Sequence, residues 1–286
     1  MKVFGWDKII EANKQKKLLC EASAVTVGSF DGLHLGHRAL ISRMETYIKT
    51  CKVKPAKCAV TFSRPTRVKK DASYNGDILT LPLKLKIFAE LGFDFVIVID
   101  FSEKFARMSG QKFFEILVKT ICMKALFVGH DFSCGFRHRT DIKALEKLSA
   151  VYDFVFDSIE RVAADGLEVS SSAIRAAISK ADFADAKKLL GYSFLLDISN
   201  VSFERRSPFE WIAKAENFVQ VLPPSGVYAV ELFAVDGFKH FASCIISEDF
   251  VLLRIAENFG TSSGRMTAAE NIAESLWLKK YYVKFI

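Results

Sequence analysis

No Cys-x-x-Cys pair occurs among the six cysteines, Cys20, Cys51, Cys58, Cys122, Cys134 and Cys244. Their scatter argues against a zinc knuckle and, in a chain of 286 residues, against a disulfide framework, so they read as reduced core or surface thiols. No apolar run nears the ~20 residues that cross a bilayer, the nearest being Phe93 to Ile99. Charge interrupts Met1 to Ile10 and no small-residue cleavage site follows, so a secretory signal is not expected. With only 6 Pro and 15 Gly the chain lies far from collagen-like or low-complexity classes. No repeat shows at a period of about 20 to 50 residues. The basic excess, 40 Lys and Arg against 33 Asp and Glu, is spread along the chain rather than gathered in a tail. A net charge of +7 suits a polyanionic ligand. A nucleotide would serve that charge as well as nucleic acid, and no basic stripe with interleaved aromatics points to the latter. What is present is a 50% hydrophobic composition, enough for a real core, and the length of about two domains. A soluble, cytoplasmic protein without membrane or nucleic-acid partners is expected; the oligomeric state is left open.

The pattern of strands and helices gives the fold class. Ser23 to Phe30 reads as a strand feeding a helix over Leu35 to Thr50. Ala56–Phe62 (strand), Pro82–Leu91 (helix), Phe93–Ile99 (strand), Ser109–Ile121 (helix) and Ala125–Gly129 (strand) continue the alternation. Asp141–Ala150 is a further helix and Tyr152–Phe156 a further strand, with one or two helices over Ser170–Leu190 stopped by Gly191. Such alternation predicts an α/β protein built on a doubly wound parallel sheet. After Gly191 the texture becomes short strands, Val219–Leu222, Val227–Phe233, His240–Ile246 and Phe250–Ile255, split by Pro-Pro, Asp-Gly and Glu-Asp turns. A second, smaller, mostly β, barrel-like domain with a closing helix near Ala268–Leu278 is expected, dividing the chain into 1–191 and 192–286.

The segment Gly28-Ser29-Phe30-Asp31-Gly32-Leu33-His34-Leu35-Gly36-His37 falls where the first strand of this alternation turns into its helix. Two histidines three apart at a helix start face the same way. Free backbone N–H groups and the helix dipole attract phosphate there, and Gly36 lets a triphosphate approach the backbone. Six fixed positions at roughly 5% each make a chance match on the order of one in a hundred thousand. Taken singly, either histidine could instead be a capping residue or a ligand of a structural metal. Gly129 to Gly135 follows a strand, and its glycines suit either close approach to a ligand or an ordinary surface turn. Ser170 to Ser172 with Arg175 one turn on suit either helix capping or a phosphate clamp.

Together these segments resemble the nucleotidylyltransferase superfamily, and specifically the FMN adenylyltransferase module of bacterial riboflavin kinase/FAD synthetases. The resemblance runs from about Ala24 to Tyr192 and includes Leu79-Thr80, Leu91-Gly92-Phe93-Asp94, Val128 to Gly135, Val169 to Arg175 and Leu189-Leu190-Gly191. It implies transfer of AMP from ATP to FMN, giving FAD and pyrophosphate, with Mg²⁺ on the phosphates. His34, His37 and Arg175 would be catalytic; Gly28, Ser29, Phe30, Asp31, Gly36, Ser171 and Ser172 would bind nucleotide; Phe62, Gly129, Asp131 and Phe132 would bind flavin. The metal ligands are left open. Departures from the family pattern are Ser29 in place of Asn, Thr61-Phe62-Ser63-Arg64-Pro65 in place of Phe-x-Pro-His-Pro, Cys134 in place of an aromatic, and Glu168 in place of a basic residue. A carboxylate at 168 opposes anion binding unless Arg175 or Mg²⁺ pairs with it. Leu222 to Val230 resembles the riboflavin kinase barrel, but no Pro-Thr pair follows Gly191, which implies that riboflavin phosphorylation is lost. Transfer to another phosphorylated acceptor, or flavin-nucleotide binding without turnover, are the alternative readings.

Overall fold

A computed structural model of the chain describes residues 1–63, 74–234, 239–255 and 281–286. The expected helix at Ala268–Leu278, the Asp236-Gly237 turn and Arg64-Pro65 lie outside the described residues. The chain forms two compact units, Met1–Asp71 with Leu81–Val169, and Ala72–Thr80 with Ser170–Ile286.

In the first unit the elements are β1 (Lys2–Gly5), α1 (Trp6–Lys14), β2 (Ser23–Val27), α2 (Leu35–Thr50), β3 (Ala56–Phe62), α3 (Leu81–Glu90), β4 (Phe95–Ile99), α4 (Glu103–Ala106), α5 (Gly110–Ile121), β5 (Met123–Gly129), α6 (Ile142–Tyr152) and β6 (Val155–Ile159). A small hairpin, β7 (Ala163–Ala164) and β8 (Leu167–Glu168), follows. Six strands pair in parallel in the order β1-β4-β3-β2-β5-β6. The chain runs one way from β2 through β3 to β4 and the other way through β5 to β6, so the sheet is doubly wound with its switch point between β2 and β5. Continuous apolar strands such as Phe95-Val96-Ile97-Val98-Ile99 need cover on both faces. Trp6 and Ile9 of α1 and Phe113, Phe114 and Leu117 of α5 cover one face in a single cluster with Val25, Val60, Ile97 and Leu126. Each wholly buried phenylalanine there contributes roughly 2 to 3 kcal/mol.

Local chemistry sets the boundaries. Ser109 caps α5 by accepting from the Lys112 N–H at 3.2 Å, so the helix begins at Gly110. α6 runs on to Tyr152 and ends on Asp153 at φ 53°, which delays the next strand to Val155 rather than the expected Tyr152. The N-terminal pair β1 and α1 was not anticipated, because charge breaks up its apolar pattern.

The second unit contains α7 (Ser171–Ile178), α8 (Phe183–Leu190), β9 (Leu195–Asp197), β10 (Glu204–Ser207), β11 (Glu210–Lys214), β12 (Gly226–Ala234), β13 (Lys239–Ile246), β14 (Phe250–Ile255) and β15 (Tyr281–Phe285). Gly191 ends α8 at φ 79°, the left-handed stop its position suggests. Seven antiparallel strands, in the order β10-β11-β14-β13-β12-β15-β9, curl into a half-barrel. The expected strand at Val219–Leu222 is corrected to a single bridge between Gln220 and Asp77, since Pro223 and Pro224 offer no N–H to extend a ladder. Gln220 is buried and its amide joins three backbones: it accepts from Asp197 N at 2.6 Å and donates to Ile78 O and Leu195 O at 2.8 Å each.

Candidate active site

In open parallel sheets ligands bind beyond the carboxyl ends of the strands at the switch point. β2 ends there, and the loop from Gly28 to His34 carries it into α2. Phe30 at φ 50° and Leu33 at φ 39° hold left-handed backbone, each costing roughly 1 to 2 kcal/mol for a side-chain-bearing residue. Full burial of both side chains holds them in place. The Phe30 ring meets Phe88 edge-on at 5.4 Å and lies 5.1 Å from the His37 ring. A Cβ at Gly28 would stand 3.3 Å from the Phe30 ring, so glycine leaves room for that wedge. Phe30 is thus a packing residue of the loop, and its ring is not presented to a ligand.

His34 and His37 do share a face: their rings stack with centroids 3.7 Å apart and planes at 25°. His34 is the N-cap residue of α2 but makes no side-chain cap bond, so the first N–H groups of this sixteen-residue helix are not capped by it. Gly36 also has a packing reason to be glycine. A Cβ there would stand 3.2 Å from His34 Cε1 and Nδ1, so glycine makes room for the imidazole. Burial lowers the His34 pKa to about 4, against an opposing pull from Asp131. Burial pushes His37 well below its usual value, helped by His34 and Lys84. Both rings are therefore neutral at pH 7, and the Nδ1 atom of each is buried with no hydrogen-bond partner among the described residues. Such a pair offers N–H donors to phosphate oxygens without a formal charge of its own.

The loop is anchored from two further elements. The Ser29 carbonyl accepts from Thr61 Oγ1 of β3 at 3.1 Å and from Lys84 Nζ of α3 at 2.7 Å. Lys84 is only 4% exposed. Sequence reasoning missed it because it lies within the apolar pattern Leu81-Pro-Leu-Lys-Leu-Lys-Ile-Phe; the available signal was a lysine among residues otherwise destined for the core. Asp31 is buried beside these groups in the sequence.

From the other side of the switch point, β5 delivers Gly129 and the exposed Asp131. Asp131 lies near enough to His34 for its charge to act on the ring. His130, Asp131, Phe132, Ser133, Asp141 and Lys143 line an open pocket of about 350 Å³. Gly135 serves structure: at φ 74° its Cβ would fall 2.4 Å from the Gly110 backbone nitrogen, so it lets the loop pack on the start of α5. Cys134 is largely buried, its thiol pushed up to about 12 by desolvation. Phe62, at the end of β3, packs edge-on against Phe101 at 6.0 Å and Phe105 at 6.2 Å.

Among the described residues Glu168 pairs with Arg161. Arg161 holds it, Nη1 to Oε1 at 2.6 Å, and also donates to His130 Nε2 at 3.0 Å. Both charges are more than half exposed, so the pair adds little stability. Its effect is to balance the carboxylate locally. Ser170 is the N-cap of α7, accepting from Ala173 N at 3.2 Å, while Ser171 and Ser172 open the helix. Arg175 donates from Nε to Gly76 O at 2.9 Å and lies over the Tyr74 ring at 5.2 Å. Ser171, Ser172, Arg175 and these partners belong to the second unit, whereas the histidine loop belongs to the first.

The fold and loop define a doubly wound α/β protein with an anion-accepting helix start at its switch point. Residues 16–173 match the FAD synthetase family model. The chain is 30% identical over 228 residues, 75% of this chain and 69% of the relative, to the bifunctional riboflavin kinase/FMN adenylyltransferase of Escherichia coli strain K12. It is 29% identical to the protein of the same description from Buchnera aphidicola subsp. Acyrthosiphon pisum, over 79% of this chain and 72% of that one. A crystal structure described as a macrolide-efflux protein from Streptococcus pneumoniae superposes with a TM-score of 0.70 at 21% identity, covering 95% of both chains, and shares the fold. The chain belongs to the FAD synthetase family.

Proposed function

We propose that this chain is an FMN adenylyltransferase, joining the phosphate of FMN to the α-phosphorus of ATP. The observation that carries this reading is that the family match over 16–173 contains the stacked His34–His37 pair at the switch point. An FMN phosphate oxygen forms the new bond to the α-phosphorus, the bond to the bridging oxygen breaks, and pyrophosphate leaves. A phosphate monoester has its second pKa near ~6, so the nucleophile is already ionised and no general base is needed. Neutral histidines suit that demand: they donate N–H groups to the transferring phosphate while the N-terminus of α2 adds its dipole. Asp131 and Phe132 would place the flavin from the β5 loop, with Phe62 as a further flavin contact. Ser171, Ser172 and Arg175 are assigned as phosphate ligands on α7.

Mg²⁺, which neutralises phosphate charge, would arrive on the nucleotide. An ion held mainly by substrate oxygens needs few protein ligands. Residues 1–191 would carry adenylyl transfer and 192–286 a riboflavin kinase-like module without kinase activity, because no Pro-Thr pair follows Gly191. Among the described residues no helix is long and apolar enough to cross a membrane, and a cytoplasmic location is proposed.

The test is chromatography of flavins after incubation with Mg-ATP. FAD is expected from FMN and no product from riboflavin. FMN or FAD made from riboflavin would overturn the loss of kinase activity, and no product from FMN would overturn the adenylyltransferase reading. His37→Ala is expected to abolish FAD formation while the circular dichroism spectrum is unchanged.

A further inference from the structure

We infer that Lys84 is a positioning residue that supplies the site's fixed positive charge, holding the Ser29 carbonyl so that the histidine loop and α2 present their donors to a polyphosphate. The inference rests on the proposed function for its substrate and on geometry for its residue. Lys84 Nζ lies 2.7 Å from the Ser29 oxygen, and Thr61 Oγ1 holds the same oxygen at 3.1 Å from the sheet side. Gly28 N, one residue earlier, donates to Val60 O at 3.1 Å, so the start of the loop is tied to β3 and α3 together. Two residues with left-handed backbone, Phe30 and Leu33, then follow, and a loop storing that cost needs such restraint.

A neutral donor would satisfy a carbonyl, yet an ammonium is buried here to 4% exposure. Burying a charge is costly unless it is paired or hydrogen-bonded, and the Ser29 carbonyl accepts from this one. Neutral histidines bring no charge of their own to a triphosphate, and Lys84 is a cation near enough to act on the His37 ring. The groups acting on His37 are His34, at the head of the same helix, and Lys84, from α3; Asp131, beyond β5, acts on His34.

Three variants separate the bond from the charge. Lys84→Met removes both, Lys84→Gln keeps a donor without charge, and Lys84→Arg keeps the charge. Dissociation constants for Mg-ATP by calorimetry should rise at least tenfold in Lys84→Gln and Lys84→Met, and stay within about threefold in Lys84→Arg. In the ligand-free protein, NMR titration of the His37 ring should move upward in pH in Lys84→Gln but not in Lys84→Arg. Wild-type affinity together with an unmoved His37 in Lys84→Gln would overturn the inference, as would equal losses in Gln and Arg variants. Should Lys84→Met fail to fold, the Gln and Arg comparison decides. A wild-type protein that makes no FAD would refute the proposed activity alone, because the His37 titration needs neither substrate nor turnover.

Discussion

Two imidazoles stacked at 3.7 Å, His34 buried and His37 half-buried, make the folded state sensitive to acid. In the unfolded chain His34 and His37 titrate near 6.5, whereas the folded protein lowers His34 to about 4 and His37 well below its usual value. Between those limits the unfolded state binds more protons, so stability is whole at neutral pH and drains as pH falls from 6.5 toward 4. Melting temperature followed from pH 7 down to about 4.5 should therefore fall, and fall less steeply in His37→Gln. Equal slopes in the two proteins would refute the assignment of neutral rings. The glycines make an equally sharp case. Gly135→Ala places a Cβ 2.4 Å from the Gly110 nitrogen in left-handed backbone, and should cost about 3 kcal/mol or more in a denaturant melt. Gly92→Ala, where nothing lies within 4 Å of the added Cβ, should cost only its backbone strain.

At the scale of elements, the sequence makes the strand-to-helix step at the site plain. Helix Leu35–Thr50 and strand Ala56–Phe62 have the bounds their apolar spacing suggests, because turns and burial agree there. Agreement fails where one residue serves a remote partner. Lys84 sits inside an apolar helical period, and its function depends on a carbonyl 55 positions away. Gln220 stands in what reads as a strand, yet it works as a bracket between Asp197, Ile78 and Leu195. β10 and β11 escape notice because Glu204-Arg-Arg-Ser is polar and the turn is Pro208-Phe209, with no Asn-Gly signal. The bracket can be checked directly: Gln220→Leu strands three buried backbone groups and should lower unfolding free energy by about 3 kcal/mol. Gln220→Glu, which turns a buried carboxylate oxygen on the Ile78 and Leu195 carbonyls, should cost at least as much. A Leu variant as stable as the parent would show that these bonds are replaced.

The whole molecule is divided into two compact units, and the division does not follow the order of the chain. Residues 72–80 leave the first unit between β3 and α3 to join the second, where Asp77 N donates to Val219 O and Val221 N donates to Asp77 O, both at 2.9 Å. Similarity to a solved structure at a TM-score of 0.70 concerns this architecture only, while the family match lies over 16–173. The two layers of information are separable by experiment: flavin products test the activity, and denaturant melts of Gln220 variants test the second unit. The threaded segment also has a consequence for biosynthesis. Ile78 and Gln220 are 142 positions apart, and at about 5 to 20 residues per second a ribosome takes roughly 7 to 28 s to cover that interval. For that time the growing polypeptide exposes 74–80 without its partners, so this stretch is where a chaperone would hold the nascent chain and where a stalled ribosome would leave it open to proteolysis.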